Sequence, residues 1–189
     1  MTTYLRSLTV ALALALAFTA MVTLSPTPAS AASKAEIDSD VDVAMQQLYE
    51  STPLARMLAK EAKAILLFPS VVKMGFIVGV QGGNGALREH GMTVGYYNTV
   101  SASYGLQAGI QKFGYALFFM SDSALRYLKS SGGWEIGVGP SVVIVDAGVA
   151  KSLTTTTARK EIYAFIFSQK GLMAGLGLQG TKVTRIDPD

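Results

Sequence analysis

The chain has 189 residues, half of them hydrophobic and 15% charged, which excludes a disordered polar tail and supplies one domain with ample core. It has no cysteine and one histidine, His90. Disulfide frameworks, thiolate metal sites, cysteine nucleophiles and sites built on two imidazoles are therefore excluded, while a net charge of +3 falls short of a nucleic-acid binder.

Arg6 is the only charged residue before Lys34, and an almost unbroken apolar stretch runs from Leu8 to Leu24. Pro26, Pro28 and then Ala29-Ser30-Ala31 follow. A positive start, a short apolar centre and small residues before a cut predict a secretory signal peptide over residues 1–31. Processing after Ala31 removes Arg6 and no acid, leaving 15 basic and 13 acidic residues. The expectation is an exported protein, periplasmic or extracellular, that is stabilised by core burial alone.

Residues 32–54 read as a helical segment. Ser33 and Glu36 have capping-box spacing. Ile37, Val41, Ala44, Met45 and Leu48 then recur on one helical face to about Tyr49. Thr52-Pro53 restarts a helix, with the hydroxyl as N-cap and proline at the first position. Leu54, Met57, Leu58 and Ala62 form its apolar side, and Arg56, Lys60 and Lys63 its basic side.

All 19 glycines lie from Gly75 onward. This predicts a change of architecture there, helix before and mostly strand after. Phe76–Gln81 reads as a strand before a turn at Gly82-Gly83-Asn84-Gly85. Ala86–Arg88 and Met92–Tyr97 flank a second turn at Glu89-His90-Gly91. Alternation from Ser103 through Ile110 has strand period. Ser121-Asp122 opens a short helix, Ser123–Lys129, closed by Gly132-Gly133. Strands follow at Trp134–Val138, Val142–Val145 and Glu161–Phe167, then a turn at Gln169-Lys170-Gly171 and a last strand within Leu172–Ile186. Glycines inside strand patterns point to bends, bulges or close backbone approach. The fold class is α+β: N-terminal helices packed on a strongly curved, barrel-like antiparallel sheet, with one short mid-chain helix.

Motifs for chemistry fail on their context. Gly175-Leu176-Gly177-Leu178-Gln179-Gly180 matches a dinucleotide fingerprint, but only nine residues follow, with no helix and no acid at the required distance. Asp38, Asp40 and Asp42 have calcium-loop spacing, but Val43 stands where glycine is needed and Tyr49 where glutamate is. They suit the first turns of a helix instead. Thr154–Thr157 reads as a loop or exposed strand, His90 as a solvated turn residue, and Trp134 as a core residue or an interfacial anchor. With no nucleophile–base pair, no cofactor and no metal site, the reading is non-enzymatic. Arg56, Lys60, Lys63 and Lys73 gather within 18 residues that hold one acid, Glu61. Cations beside apolar helical faces suit an anionic membrane surface, and equally an ordinary solvated face.

The run Ala62-Lys63-Ala64-Ile65-Leu66-Leu67-Phe68-Pro69-Ser70-Val71-Val72-Lys73-Met74-Gly75-Phe76 resembles the opening of the SYLF domain. The likeness continues through Gly82–Leu87, Gly105–Gly109, Phe119–Asp122, Gly133–Glu135, Val145–Gly148 and Lys170–Gly175, and covers roughly Ala55 to Ile186. It assigns residues 55–189 to a SYLF-like domain. The resemblance implies a curved antiparallel sheet with helices and a lipid-binding module. Eukaryotic members bind phosphoinositide membranes and associate with actin, and bacterial members are exported envelope proteins. No attached SH3 or lipid-binding finger domain is present, and the signal peptide leads away from cytoplasmic filaments, so actin is not the expected partner here. The expected partner is an anionic phospholipid surface, with an envelope protein as the alternative. Arg56, Lys60, Lys63 and Lys73 would attract lipid phosphates while nearby apolar helix residues insert.

Overall fold

The computed structural model describes residues 32–76, 78–104, 109–145, 160–171 and 178–189. Residues 1–31, where a signal peptide is expected, and Leu106, Ala108, Asp146–Gly148, Thr154–Thr157 and Leu172–Gly177 lie outside these residues.

Helix α1 spans Lys34–Ser51 and begins as a reciprocal capping box. The Ser33 hydroxyl accepts from the Glu36 N–H at 3.3 Å, and the Glu36 carboxylate accepts from the Ser33 N–H at 2.8 Å. Its buried stripe is Ile37, Val41, Ala44 and Leu48, as the periodicity predicts. Helix α2 follows as Pro53–Ala59, with proline in its first turn. Thr52 occupies the N-cap, but its hydroxyl bonds no backbone amide and lies 3.5 Å from the Ser51 hydroxyl instead. At ψ 88° the Thr52 backbone is not in the fully extended form that aims a capping oxygen down the helix.

The architectural boundary expected at Gly75 falls earlier. Strand β1 spans Ala64–Phe76 and runs through it. Strands β2 (Val78–Glu89), β3 (Met92–Tyr104) and β4 (Gly109–Phe119) follow. Helix α3 (Asp122–Ser130) is capped by the Ser121 hydroxyl on the Ala124 N–H at 3.2 Å. Then come β5 (Trp134–Glu135), β6 (Val142–Ile144), β7 (Ile162–Gly171) and β8 (Lys182–Ile186). They form one eight-stranded sheet in the order β5-β8-β3-β2-β1-β4-β7-β6. Every pairing is antiparallel except β6 with β7. The sheet curls into a half-barrel with β5 and β6 at its two borders.

Two expected turns are strand. Gly82–Gly85 lies within β2, paired throughout with β3, while toward β1 only Gly82 is in register and the ladder resumes at Ala86. The reason is in β1. Between Phe68 and Val71, β1 carries one more residue than β4, and the same excess appears against β2 between Leu67 and Val72. This is a bulge at Pro69-Ser70, where a proline without N–H costs the ladder nothing. The bulge drives β1 backbone toward β2. A Cβ at Gly83 would collide with the Ser70 carbonyl oxygen, and one at Gly85 with that of Leu67. Those glycines serve close approach, not a turn. Likewise Gln169-Lys170-Gly171 continues β7, with Gln111 opposite Gly171 and Lys112 opposite Lys170. An extra residue in β7, with Ser168 at φ 53°, takes up the irregularity there. The hairpin at His90-Gly91 is where the sequence places it. Both residues have positive φ, which suits a two-residue turn whose twist matches the strands. The strand expected from Ser103 through Ile110 divides, with β3 ending at Tyr104 and β4 beginning at Gly109.

Each face of the sheet carries a core. On the concave inner face, Leu66, Phe68, Val71, Tyr97, Phe113, Tyr115, Leu117 and Phe119 pack with α3 and Trp134. On the outer face, Ile65, Leu67, Ala86, Ala116, Phe118 and Phe165 pack under α1 and α2. The helical segment thus belongs to the same compact unit as the sheet, Ala32–Asp189.

Candidate functional site

Three of the four basic residues singled out in the sequence stand around α2. Arg56, Lys60 and Lys63 are exposed, and none forms an ion pair among the described residues. Arg56 donates to the Tyr49 carbonyl at 3.1 Å. That carbonyl is one of the last four of α1, which have no partner within their own helix, so Arg56 also closes the α1 terminus. Lys60 and Lys63 line a cleft of about 580 Å³ between α1 and the β2–β3 hairpin end, with Asp42, Tyr49, Arg88 and His90.

Lys73 is not with them. It lies on β1 ten residues after Lys63, a strand length of ~30 Å. Its side chain is buried on the inner face, opposite Gln81 and Gln111, both also buried. The sequence spacing brings four cations within 18 residues; a strand, unlike a helix, carries them apart and turns them to opposite faces.

Arg88 joins the cleft instead, unremarked in the sequence. Its guanidinium meets Asp42 at 2.7 Å and Asp38 at 3.4 Å, and also donates to the Asp38 and Gly91 carbonyls. Asp38 accepts from the Thr93 hydroxyl at 2.6 Å and the Tyr96 hydroxyl at 2.8 Å. That bond and burial push the Tyr96 phenol up, burial being the larger cause. Asp38 and Asp42 are therefore clamps that fasten α1 to the β2–β3 hairpin. The cleft combines the Lys60 and Lys63 ammonium groups, neither ion-paired among the described residues, with the Glu61 carboxylate and an arginine already neutralised by carboxylates.

The apolar helix residues expected to insert into lipid are mostly spent. Ile37, Val41, Ala44, Leu48, Ala55 and Leu58 are buried against the sheet. Trp134 is core, with its indole N–H donating to the Val138 carbonyl at 2.9 Å and its ring 6.1 Å from Phe119. No group of acids and histidines able to hold a metal occurs among the described residues. No helix among them is long and apolar enough to cross a membrane.

Residues 100–187 match the family model described as Ysc84, a Las17-binding protein actin regulator. The match takes in the later blocks of the SYLF resemblance and stops short of the Ala62–Phe76 run. No curated protein matches the chain.

Proposed function

We propose that this chain, which carries a SYLF-family domain, is an exported, non-enzymatic protein that associates peripherally with anionic phospholipid membranes. The observation that carries the reading is the trio Arg56, Lys60 and Lys63, exposed and without ion-pair partners among the described residues. Cations of that kind are each worth about 1 kcal/mol near an anionic bilayer and lose that value in salt. The family likeness supports a lipid ligand. The family description names a protein partner and actin regulation, and those belong to the family as described.

The test is co-sedimentation of residues 32–189 with vesicles of phosphatidylcholine alone and of phosphatidylcholine with phosphatidylglycerol. Binding to the anionic vesicles alone, weakened by salt, is expected. Replacing Arg56, Lys60 and Lys63 together by glutamate should lower that binding at least about tenfold, from the loss of the three attractions. Lys73 stays out of this variant because its burial would confound the result with misfolding. Absence of binding to either vesicle overturns the reading in favour of an envelope protein as partner.

A further inference from the structure

The outer face of the sheet changes character at the Pro69-Ser70 bulge. Before it, Ile65, Leu67 and Ala86 lie under the helices. Beyond it the helical cover ends, and apolar side chains stand in solvent: Met74 is 48% exposed, Val80 52% and Ile110 67%, with Val78 and Val100 also exposed. Cross-strand register makes a patch of them. Met74 lies opposite Val80 on one side and Ile110 on the other.

The inner face of the same stretch is polar. Lys73 is only 6% exposed and sits opposite buried Gln81 and Gln111. The usual sense of a half-buried sheet is thereby inverted, with polar side chains inward and aliphatic ones outward. Contiguous exposed apolar surface marks an interaction site. Alternation with the apolar side outward is the pattern of a sheet that faces lipid.

Charge at the margin selects the partner. Lys112 follows Ile110 on the outer face, opposite Lys170, and Lys182 lies opposite Val100 on the other flank. All three lysines are exposed. Two acids adjoin them: Asp40 lines the groove shared by Lys112 and Lys170, and Glu135 lies opposite Lys182. The outer-face positions of β1 to β4 beyond the bulge hold no acid among the described residues. A second copy of this face would set one lysine-rich margin against another. An anionic bilayer offers acyl chains to the aliphatic centre and phosphates to the lysines.

We propose that the outer sheet face at Met74, Val78, Val80, Val100 and Ile110 is the surface that enters the bilayer interface, with Lys112, Lys170 and Lys182 on the phosphates. This rests on the lipid reading above and assigns the apolar contact to the sheet rather than the helices. The orientation also suits Arg56 and Lys60, since α2 packs on the same side of the sheet.

The test uses the same anionic vesicles and two kinds of variant of residues 32–189. Met74→Ser, Val80→Thr and Ile110→Thr together remove apolar surface at exposed positions and keep strand-compatible side chains. Binding at least about tenfold weaker, with an unchanged unfolding midpoint, is expected. Because the chain has no cysteine, Val80→Cys and Arg126→Cys each place a single polarity-sensitive dye. The dye at 80 should shift to the blue on vesicles, and the dye at 126, on α3, should not. If the unsubstituted protein binds while the triple variant binds equally, or while the dye at 80 stays aqueous, the face is wrong and the lipid function stands. If the unsubstituted protein binds no vesicle, both fall.

Discussion

Single residues in this fold are constrained by backbone contact and by burial more than by chemistry. Gly85 and Gly91 make the contrast. A side chain at Gly85 would strike the Leu67 carbonyl, in a strand hydrogen-bonded on both sides. Gly91 has φ 82° and open space around it. Gly91→Ala should cost about 1 kcal/mol, the strain of a left-handed backbone. Gly85→Ala should cost about 3 kcal/mol or more, because backbone must move. Urea unfolding of the two variants measures both. Tyr115 is a different constraint. Its hydroxyl lies 2.6 Å from that of Thr99 in the inner core, and burial pushes its ionisation well above the usual range. The fold favours the neutral phenol, so its contribution is complete below the unfolded value of about 10. It falls as pH rises from there toward the folded value. Stability should therefore decline above about pH 10, and Tyr115→Phe should make that decline shallower. Some slope will remain, since Tyr49 and Tyr97 are also shifted upward by burial.

Among the elements, α1 is the one the sequence states most directly. A capping box and a stripe at three- and four-residue spacing have one solution, and the helix runs two residues past the expected end. β1 is the opposite case. Ile65, Leu66, Leu67 and Phe68 are all buried because the strand is covered on both faces. Two-sided burial erases the alternation that identifies a strand. The bulge then shifts its parity midway. The clamp between α1 and the sheet was hidden for another reason. Asp38 and Asp42 have a sufficient local explanation at a helix start, and their partners Arg88, Thr93 and Tyr96 lie far along the chain. Asp38→Ala leaves two part-buried hydroxyls without an acceptor, which should cost about 1–3 kcal/mol. Amide hydrogen exchange in α1 should accelerate more than in β1 and β4, which core contacts hold on both faces.

At the scale of the whole molecule, the curled antiparallel sheet with helices on it was legible from glycines inside strand patterns, although two of the turn signals are strand, but the placement of function was not. A list of cations close in number suggested one basic site. The fold assigns Arg56, Lys60 and Lys63 to the helical end and buries Lys73 beneath the far end of β1. The aliphatic outer face was invisible because alternation gives the period of a strand and not which side is inward. Only the extent of helical cover decides that, and the cover is set by the length of α1 and α2.

The borders of the sheet bear on how such a protein behaves when it accumulates. β5 and β6 are two and three residues long, against thirteen for β1 at the centre. A bare border of full length is a template on which another chain can add its own strand and propagate a fibre. β5 and β6 themselves offer almost nothing to copy, but they cover little: β6 pairs only with Ile162–Ala164 of β7, and β8 only with Tyr96–Val100 of β3, so among the described residues the rest of those two long strands is paired on one side alone. Chains gathered densely on a two-dimensional surface would then meet at those stretches of β3 and β7 and not at the borders themselves.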